Sequence, residues 1–425
     1  MRPRLLLVLP KTSYRGDAFL DAARAAGADV CVASDRCHQL DGHYEFPAGS
    51  FVIDLLHPDE AATAIARDAR ERPVVAVLGA GGEAAAYVAA LASRLLGLPA
   101  NPPEAALAAG DKLLLRTRLA TASVSQPRFA VATEHESSAV IAARVTAGPG
   151  FPCVVKPRFL SGSRGVMRAD DEVELAARLA RLWRLLAIPE LRAHGGDAAQ
   201  SVLVEEFVPG AEVAFEGLLD HGALRTLALF DKPDPLDGPF FEESLYITPS
   251  RLADDEQARI AHVVAEAAHA LGLIDGPIHA ELRLGANGPV VLEVAARSIG
   301  GLCSRALRFG TGLSLEELLV RHALGHDIAT HTRERSAAGA MMLPIPAAGV
   351  LDEVTGVAAA LALPGIEDVV ITLPLGHRVV PLPEGSSYLG FVFARGETPA
   401  AVEASLRAAH RALGFRITPR LATTD

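Results

Sequence analysis

Within the first hundred residues, uninterrupted apolar strands alternate with helix-like segments. Residues 4–10 (RLLLVLP) and 73–78 (PVVAVL) are apolar at consecutive positions. A strand with one face in water would alternate instead, so both faces of these strands must be covered. Residues 16–27 and 83–96 carry helical spacing, with Gly27 and Gly97 as stops, and 29–33 reads as a further strand. The pattern implies a parallel sheet between helices, occupying residues 1–110.

The rest of the chain has a different rhythm. A helix is expected over 111–121, a strand over 151–156 (FPCVVK), a small-residue loop at 161–165 (SGSRG) and a helix over 172–186. A strand at 201–207 follows. Residues 215–219 and 224–230 flank a turn at 220–222 and read as a hairpin. The prolines and glycine of 231–239 predict a loop. A long helix is expected over 254–271, a second hairpin over 279–284 and 290–294, and a helix over 314–324. Residues 331–425 read as a separate small α+β unit, with strands at 341–345, 369–373 and 389–394 and a helix over 398–413. The expected division is 1–110, 111–204, 205–330 and 331–425.

The formal net charge of −11 makes the chain a poor general partner for nucleic-acid phosphate. No apolar run approaches the ~18 residues that span a membrane. The run ending at Pro10 is too short for a secretory signal. Cys31, Cys37, Cys153 and Cys303 show neither CxxC nor zinc spacing, which suits a reducing cytoplasm.

The second hairpin carries the sharpest chemical signal. With its loop at 285–289, facing residues have numbers that sum to 574, which pairs Glu281 with Glu293. Directly opposed carboxylates repel, with Cβ atoms ~5 Å apart. A divalent cation between them removes the conflict, and Mg²⁺ favours a few carboxylates together with phosphate oxygens. Period-two alternation puts His279, Arg283, Ala295 and Arg297 on the same face. Two glutamates on a solvent face would give the same spacing. Lys156, at a strand end beside the Ser161-Gly162-Ser163-Arg164-Gly165 loop, can reach an anion. It can equally be a surface lysine beside an ordinary turn. Glu205-Glu206-Phe207-Val208-Pro209-Gly210-Ala211-Glu212 can line a flat base or simply end an acidic strand. Gly79-Ala80-Gly81-Gly82-Glu83-Ala84 fits a dinucleotide fingerprint only loosely, because it follows a later strand. His322 and His326 lack a third ligand and fit charge placement at a helix C-terminus.

Taken in order, Asp111-Lys112, FPCVVKP, SGSRG, VEEFVPGAE and HAEL…LEVAAR resemble an ATP-grasp enzyme, and within that superfamily the L-amino acid ligases with their appended C-terminal domain. The resemblance implies an N-terminal parallel α/β domain, a lid, a large antiparallel-sheet domain and a small C-terminal α+β domain. It implies that Lys112 and Lys156 meet ATP phosphates under the lid loop of Ser161, Gly162 and Ser163. Glu205, Glu206 and Val208 would lie along adenine, and Glu212 would hold ribose. Glu281 and Glu293 would bind Mg²⁺, with Mn²⁺ an acceptable substitute. Arg297 would stabilise the acyl phosphate or the tetrahedral adduct. Ala295 departs from the common Glu-x-Asn-x-Arg pattern, which leaves the number of metal ions open. Substrate contacts are expected from Arg305, Glu242, Glu243, His279, Gly300 and Gly301.

The implied reaction joins a carboxylate and an amine, with amino acids or analogues as substrates. Homodimers are common in the superfamily. A biotin-carboxylase-like enzyme is disfavoured because Ile299-Gly300-Gly301-Leu302 stands where a Gln-Val-Glu-His stretch is typical. A non-catalytic ATP-binding module is disfavoured by the two lysines, two glutamates and Arg297. Cys303 has no base positioned to make it a nucleophile.

Overall fold

The computed structural model describes residues 2–11, 13–35 and 48–419; Cys37 lies outside them. The N-terminal sheet is parallel, with strand order Ser50–Val52, Asp29–Ser34, Arg4–Val8, Ala76–Gly79. Residues 5–8 of its central strand are apolar throughout because both faces are buried. Leu6 and Val8 pack with Ile65 of helix Pro58–Glu71 and Val88 of helix Gly82–Leu96. Leu5 and Leu7 face Phe19 and Leu20 of helix Gly16–Ala25 and Leu318 and Leu319 of helix Leu315–Ala323. The second cover is thus shared with a helix three hundred positions away, which local spacing could not reveal.

The next sheet has the order Phe129–Thr133, Ser201–Glu206, Cys153–Pro157, Met167–Ala169. Helix Glu172–Leu186 buries Leu175, Leu179, Leu182 and Leu186 against one of its faces. The strand Ser201–Glu206 runs across the expected division at 204/205. Glu205 and Glu206 stay in the ladder, opposite Val154 and Cys153.

The large sheet has eight strands, and every neighbouring pair is antiparallel. The order is Gly288–Ala295, Gly276–Gly285, Glu212–Asp220, Ala223–Lys232, Leu245–Thr248, Ala337–Leu343, Gly390–Gly396, Ile366–Ile371. Residues 331–425, read from the sequence as a separate small unit, thus contribute strands to this sheet. Its first strand pairs with Leu245–Thr248, and Leu245 and Ile247 share a core with Met341, Leu343 and Leu406. The seam is apolar and internal, so composition shows no linker there. The loop expected from residue 231 also begins later, because Lys232 is still paired with Glu212 in the sheet.

Candidate active site

Alternation divides the large sheet into two faces. Val213, Phe215, Ala280, Leu282 and Val294 point into a core with Ile260, Val264 and Leu271 of helix Asp254–Leu271. Glu212, His279, Glu281, Arg283 and Glu293 instead line a cavity of about 1210 Å³. Its walls also come from the N-terminal sheet, the smaller sheet and the C-terminal strands.

Glu281 faces Glu293, as the hairpin arithmetic expects, though by a different route. The connecting turn is shorter, with Gly285 paired to Gly288. That turn alone would make facing numbers sum to 573. A bulge at Leu292 adds one and restores the pairing of 281 with 293. Arg116 secures the bulge, its Nη1 donating to the Val291 carbonyl at 3.1 Å and its Nη2 to the Leu292 carbonyl at 2.6 Å.

An apolar slot forms part of the cavity wall. Val154, Leu236 and Phe241 pack there with Phe207. Arg283 stacks over Phe207 at 5.0 Å and donates Nη1 to the Val208 carbonyl at 2.8 Å. Glu206 lines the slot and pairs with Arg128 at 2.9 Å. Glu205 and Glu212 line it too, but their carboxylates are occupied. Glu205 takes Arg116 at 2.7 Å and Lys156 at 2.7 Å. Burial opposes its ionisation, yet the charges of Arg116 and Lys156 hold its carboxyl at about 2. Glu212 takes Lys232 at 2.8 Å and Arg283 at 3.0 Å.

Two lysines converge beside the carboxylate pair. Lys112 follows the N-cap Asp111, whose side chain accepts from Leu113 N–H. Its Nζ donates to the Leu160 carbonyl at 2.8 Å and lies 3.5 Å from Glu293. Lys156 ends the strand Cys153–Pro157. Ser161, Gly162 and Ser163 line the cavity next to both, with Gly162 at φ +61° and Ser163 at +56°.

An acidic cluster lies deeper. Glu212, Glu243 and Glu281 bring carboxylate oxygens within 4.8 Å of one another. Lys232 sits among them, 2.6 Å from Glu243 and 3.2 Å from Glu281. Burial and the Glu281 charge push the Glu243 carboxyl up to about 7. His279 contacts Glu216 at 2.5 Å and Glu281 at 3.4 Å. Burial works against its charge, but Glu216 and Glu281 raise it to about 9. The Lys232 ammonium already neutralises the centre of the cluster. Glu281 and Glu293 form an opposed hard-oxygen pair that fits Mg²⁺ chemistry, with Glu281 also in contact with Lys232 and His279.

Arg297 follows the hairpin and reaches the N-terminal sheet. Its Nε and Nη2 donate to Glu83 at 2.9 and 2.7 Å. Burial disfavours its charge, while Glu83 and Glu293 keep it firmly protonated. Glu83 belongs to the glycine-rich segment that resembled a dinucleotide fingerprint. That segment delivers a carboxylate to the cavity from the first turn of helix Gly82–Leu96.

Two expected substrate residues lie elsewhere. Arg305 does not line the cavity; its side chain is 43% exposed and pairs with Asp368 at 2.7 Å. It leaves on the far side because the short helix Cys303–Ala306 turns it toward the Ile366–Ile371 strand. Glu242 also stays outside, half-buried near Ile345, whereas its neighbour Glu243 points in. Gly300, Gly301 and His279 do line the cavity. Cys303 lines it as well, but burial pushes its thiol far up. His322 pairs with Asp275 at 3.2 Å. Sequence reasoning missed Glu83, Glu216, Arg116 and Arg15. Only Glu83 carried a local signal.

Comparison with known proteins matches three stretches of the chain. Residues 20–100 match an ATP-grasp N-terminal domain, 149–306 an ATP-grasp domain, and 341–418 an L-amino acid ligase C-terminal domain 2. The uncharacterized protein y4rH of Sinorhizobium fredii is 25% identical over 427 residues, covering 98% of this chain and 84% of that protein. Carnosine synthase 1 of Gallus gallus is 29% identical over 220 residues, which is 51% of this chain but only 23% of that protein's length. The crystal structure of an L-amino acid ligase from Bacillus licheniformis superposes with a TM-score of 0.81 at 24% identity, covering 98% of this chain and 99% of that one. The chain thus combines, in sequence order, segments that match an ATP-grasp N-terminal domain, an ATP-grasp domain and the C-terminal domain of L-amino acid ligases, and it shares the fold of an L-amino acid ligase from end to end.

Proposed function

We propose that this protein is an ATP-dependent ligase joining a carboxylate to an amine, with amino acids or close analogues as substrates. The observation that carries the reading is a convergence within one cavity. It combines an apolar slot, Lys112 and Lys156, the opposed Glu281 and Glu293, and Arg297 anchored by Glu83. In this reading adenine enters the slot along Glu206, Phe207 and Val208. Lys112 and Lys156 receive phosphate oxygens beneath the 161–165 loop. Glu281 and Glu293 would hold Mg²⁺, which neutralises phosphate charge when bound.

Residues 1–110 and 331–425 then close the substrate end of the cavity. Residues 111–204 act as the lid, and 205–330 carry the nucleotide and metal residues. A substrate carboxylate oxygen attacks the γ-phosphorus, and the bond to ADP breaks. The amine then attacks the acyl carbon, phosphate departs with the bonding electrons, and the nitrogen gives up a proton. Arg297 faces the oxygen on which negative charge grows. Closure of the lid keeps water from the acyl phosphate. A cytoplasmic location accompanies this reading.

The test is Mg²⁺-dependent release of ADP and phosphate, with amino acids supplied singly and in pairs and a Glu293→Ala control. Release that requires a pair, with a condensed product by mass spectrometry, supports the ligase. ATP binding without turnover on any pair would sink it.

A further inference from the structure

We propose that Glu216, a buried residue outside the cavity wall, is a positioning residue that holds the metal carboxylate Glu281 and the backbone after Arg297 in one fixed relation. The inference rests on the ligase reading above, in which Glu281 holds Mg²⁺ and Arg297 meets the reacting group. Glu216 lies in the strand Glu212–Asp220 and is 0% exposed. Ala214 and Leu218, on the same face to either side, belong to an apolar core with Phe230 and Ile299.

Both oxygens of Glu216 are engaged. The residue faces His279 across the ladder, and His279 Nδ1 meets Glu216 Oε1 at 2.5 Å. At the other side of the ring, which lines the cavity, Nε2 lies 3.4 Å from Glu281 Oε1. Both ring nitrogens meet carboxylate oxygens, so both donate. Glu216 Oε2 accepts the Ile299 N–H at 3.1 Å. Ile299 stands two positions after Arg297. One side chain therefore reaches Glu281 through an imidazole and Arg297 through two backbone units.

A carboxylate in an apolar core costs stability unless partners offset it, and packed apolar residues often serve the fold as well. What Glu216 adds is geometry. Three groups converge on Glu281 Oε1: Lys232 at 3.2 Å, His279 at 3.4 Å and the Tyr246 hydroxyl at 3.5 Å. Lys232 is shared with Glu212 and Glu243, and Tyr246 with Glu243. The imidazole alone is backed by a carboxylate from its far side. A partner of this kind fixes a metal ligand before the cation arrives and so strengthens binding.

The test follows Mn²⁺ binding to the full-length protein by electron paramagnetic resonance, with a non-hydrolysable ATP analogue present. Glu216→Leu and His279→Gln should each weaken Mn²⁺ about 10- to 100-fold. The double variant should be no weaker than the weaker single, because the two residues act in series. In ADP release, kcat of Glu216→Leu should fall about 10-fold below that of His279→Gln, since only the former frees Ile299. If Glu216 were only a strut, urea would unfold Glu216→Leu earlier while Mn²⁺ affinity stayed at the wild-type value, which overturns the inference. Additive losses in the double variant, or equal kcat values in the two singles, overturn it too. Should Glu216→Leu fail to fold, Glu216→Gln takes its place, and an unchanged Mn²⁺ affinity there overturns the inference. A wild type that binds no Mn²⁺ does the same. Turnover on no substrate pair would remove the ligase reading alone, because Mn²⁺ binding needs no turnover.

Discussion

The guanidinium of Arg297 is gripped by a carboxylate 214 positions away, in the first turn of helix Gly82–Leu96. Glu83 sets where the positive charge sits, and reactivity at such sites falls steeply with small displacements. Glu83→Gln keeps the volume but loses the charge. Its kcat for ADP release should fall about 100-fold with little change in KM for ATP, as a misplaced group would cost. Glu205 raises a question of stability. Its folded carboxyl titrates at about 2, below the ordinary 4.5, because Arg116 and Lys156 outweigh burial. A lowered pKa stabilises the fold above pH 4.5, and that contribution is lost as pH falls through 2. It amounts to on the order of 3 kcal/mol. Urea unfolding at about pH 6 and about pH 3 should show wild type losing more stability over that interval than Glu205→Gln. An equal loss would mean that Glu205 is not the titrating group.

At the scale of elements, the hairpin and the helix before it depend on one side chain. Arg116, in helix Lys112–Thr121, joins Glu205 of the Ser201–Glu206 strand to the bulged carbonyls of the Gly288–Ala295 strand. Arg116→Met would leave the buried Glu205 carboxylate with Lys156 as its remaining cation and free the bulge. Unfolding free energy should drop by about 3–5 kcal/mol in urea titrations, as for other broken buried pairs. The turn after the Ser201–Glu206 strand is equally constrained. Gly210 has φ +123°, and a Cβ there would stand 2.2 Å from the Leu284 carbonyl oxygen. Gly210→Ala should cost about 1–3 kcal/mol and weaken binding of a fluorescent ATP analogue by pushing the apolar slot apart.

Across the whole molecule, the segment proposed as a lid is tied to the C-terminal region. Gly165 N–H donates to the Pro383 carbonyl at 2.8 Å, and Arg164 Nε to the Glu384 carbonyl at 2.9 Å. Arg181 meets the Glu384 carboxylate with bonds of 2.6 and 2.8 Å. The pair is about one-third exposed on each side, so its worth is ~1 kcal/mol or less. Glu384→Ala should therefore leave the melting temperature nearly unchanged. It should raise ATP consumption with the acid substrate alone by up to about 5-fold, as a looser lid admits water to the activated acid. Unchanged coupling between ATP use and product would show that this contact does not govern closure.

Periodicity decides which way a side chain points, and it acts over a few residues. The helices at 172–186 and 254–271 and the two-sided strands of the N-terminal sheet were therefore legible from spacing alone, whereas the facing of Glu281 and Glu293 also needed a bulge that spacing does not record. Lys112 and Lys156 became meaningful through their order among the motifs. Which distant segment a face meets depends on the path of the chain, and spacing holds no record of that path. Tertiary structure alone brought Glu83 to Arg297, seated Lys232 among three carboxylates, turned Arg305 outward, and carried the 337–396 strands into the large sheet. Buried charges and polar arms are stabilised only by partners that folding supplies.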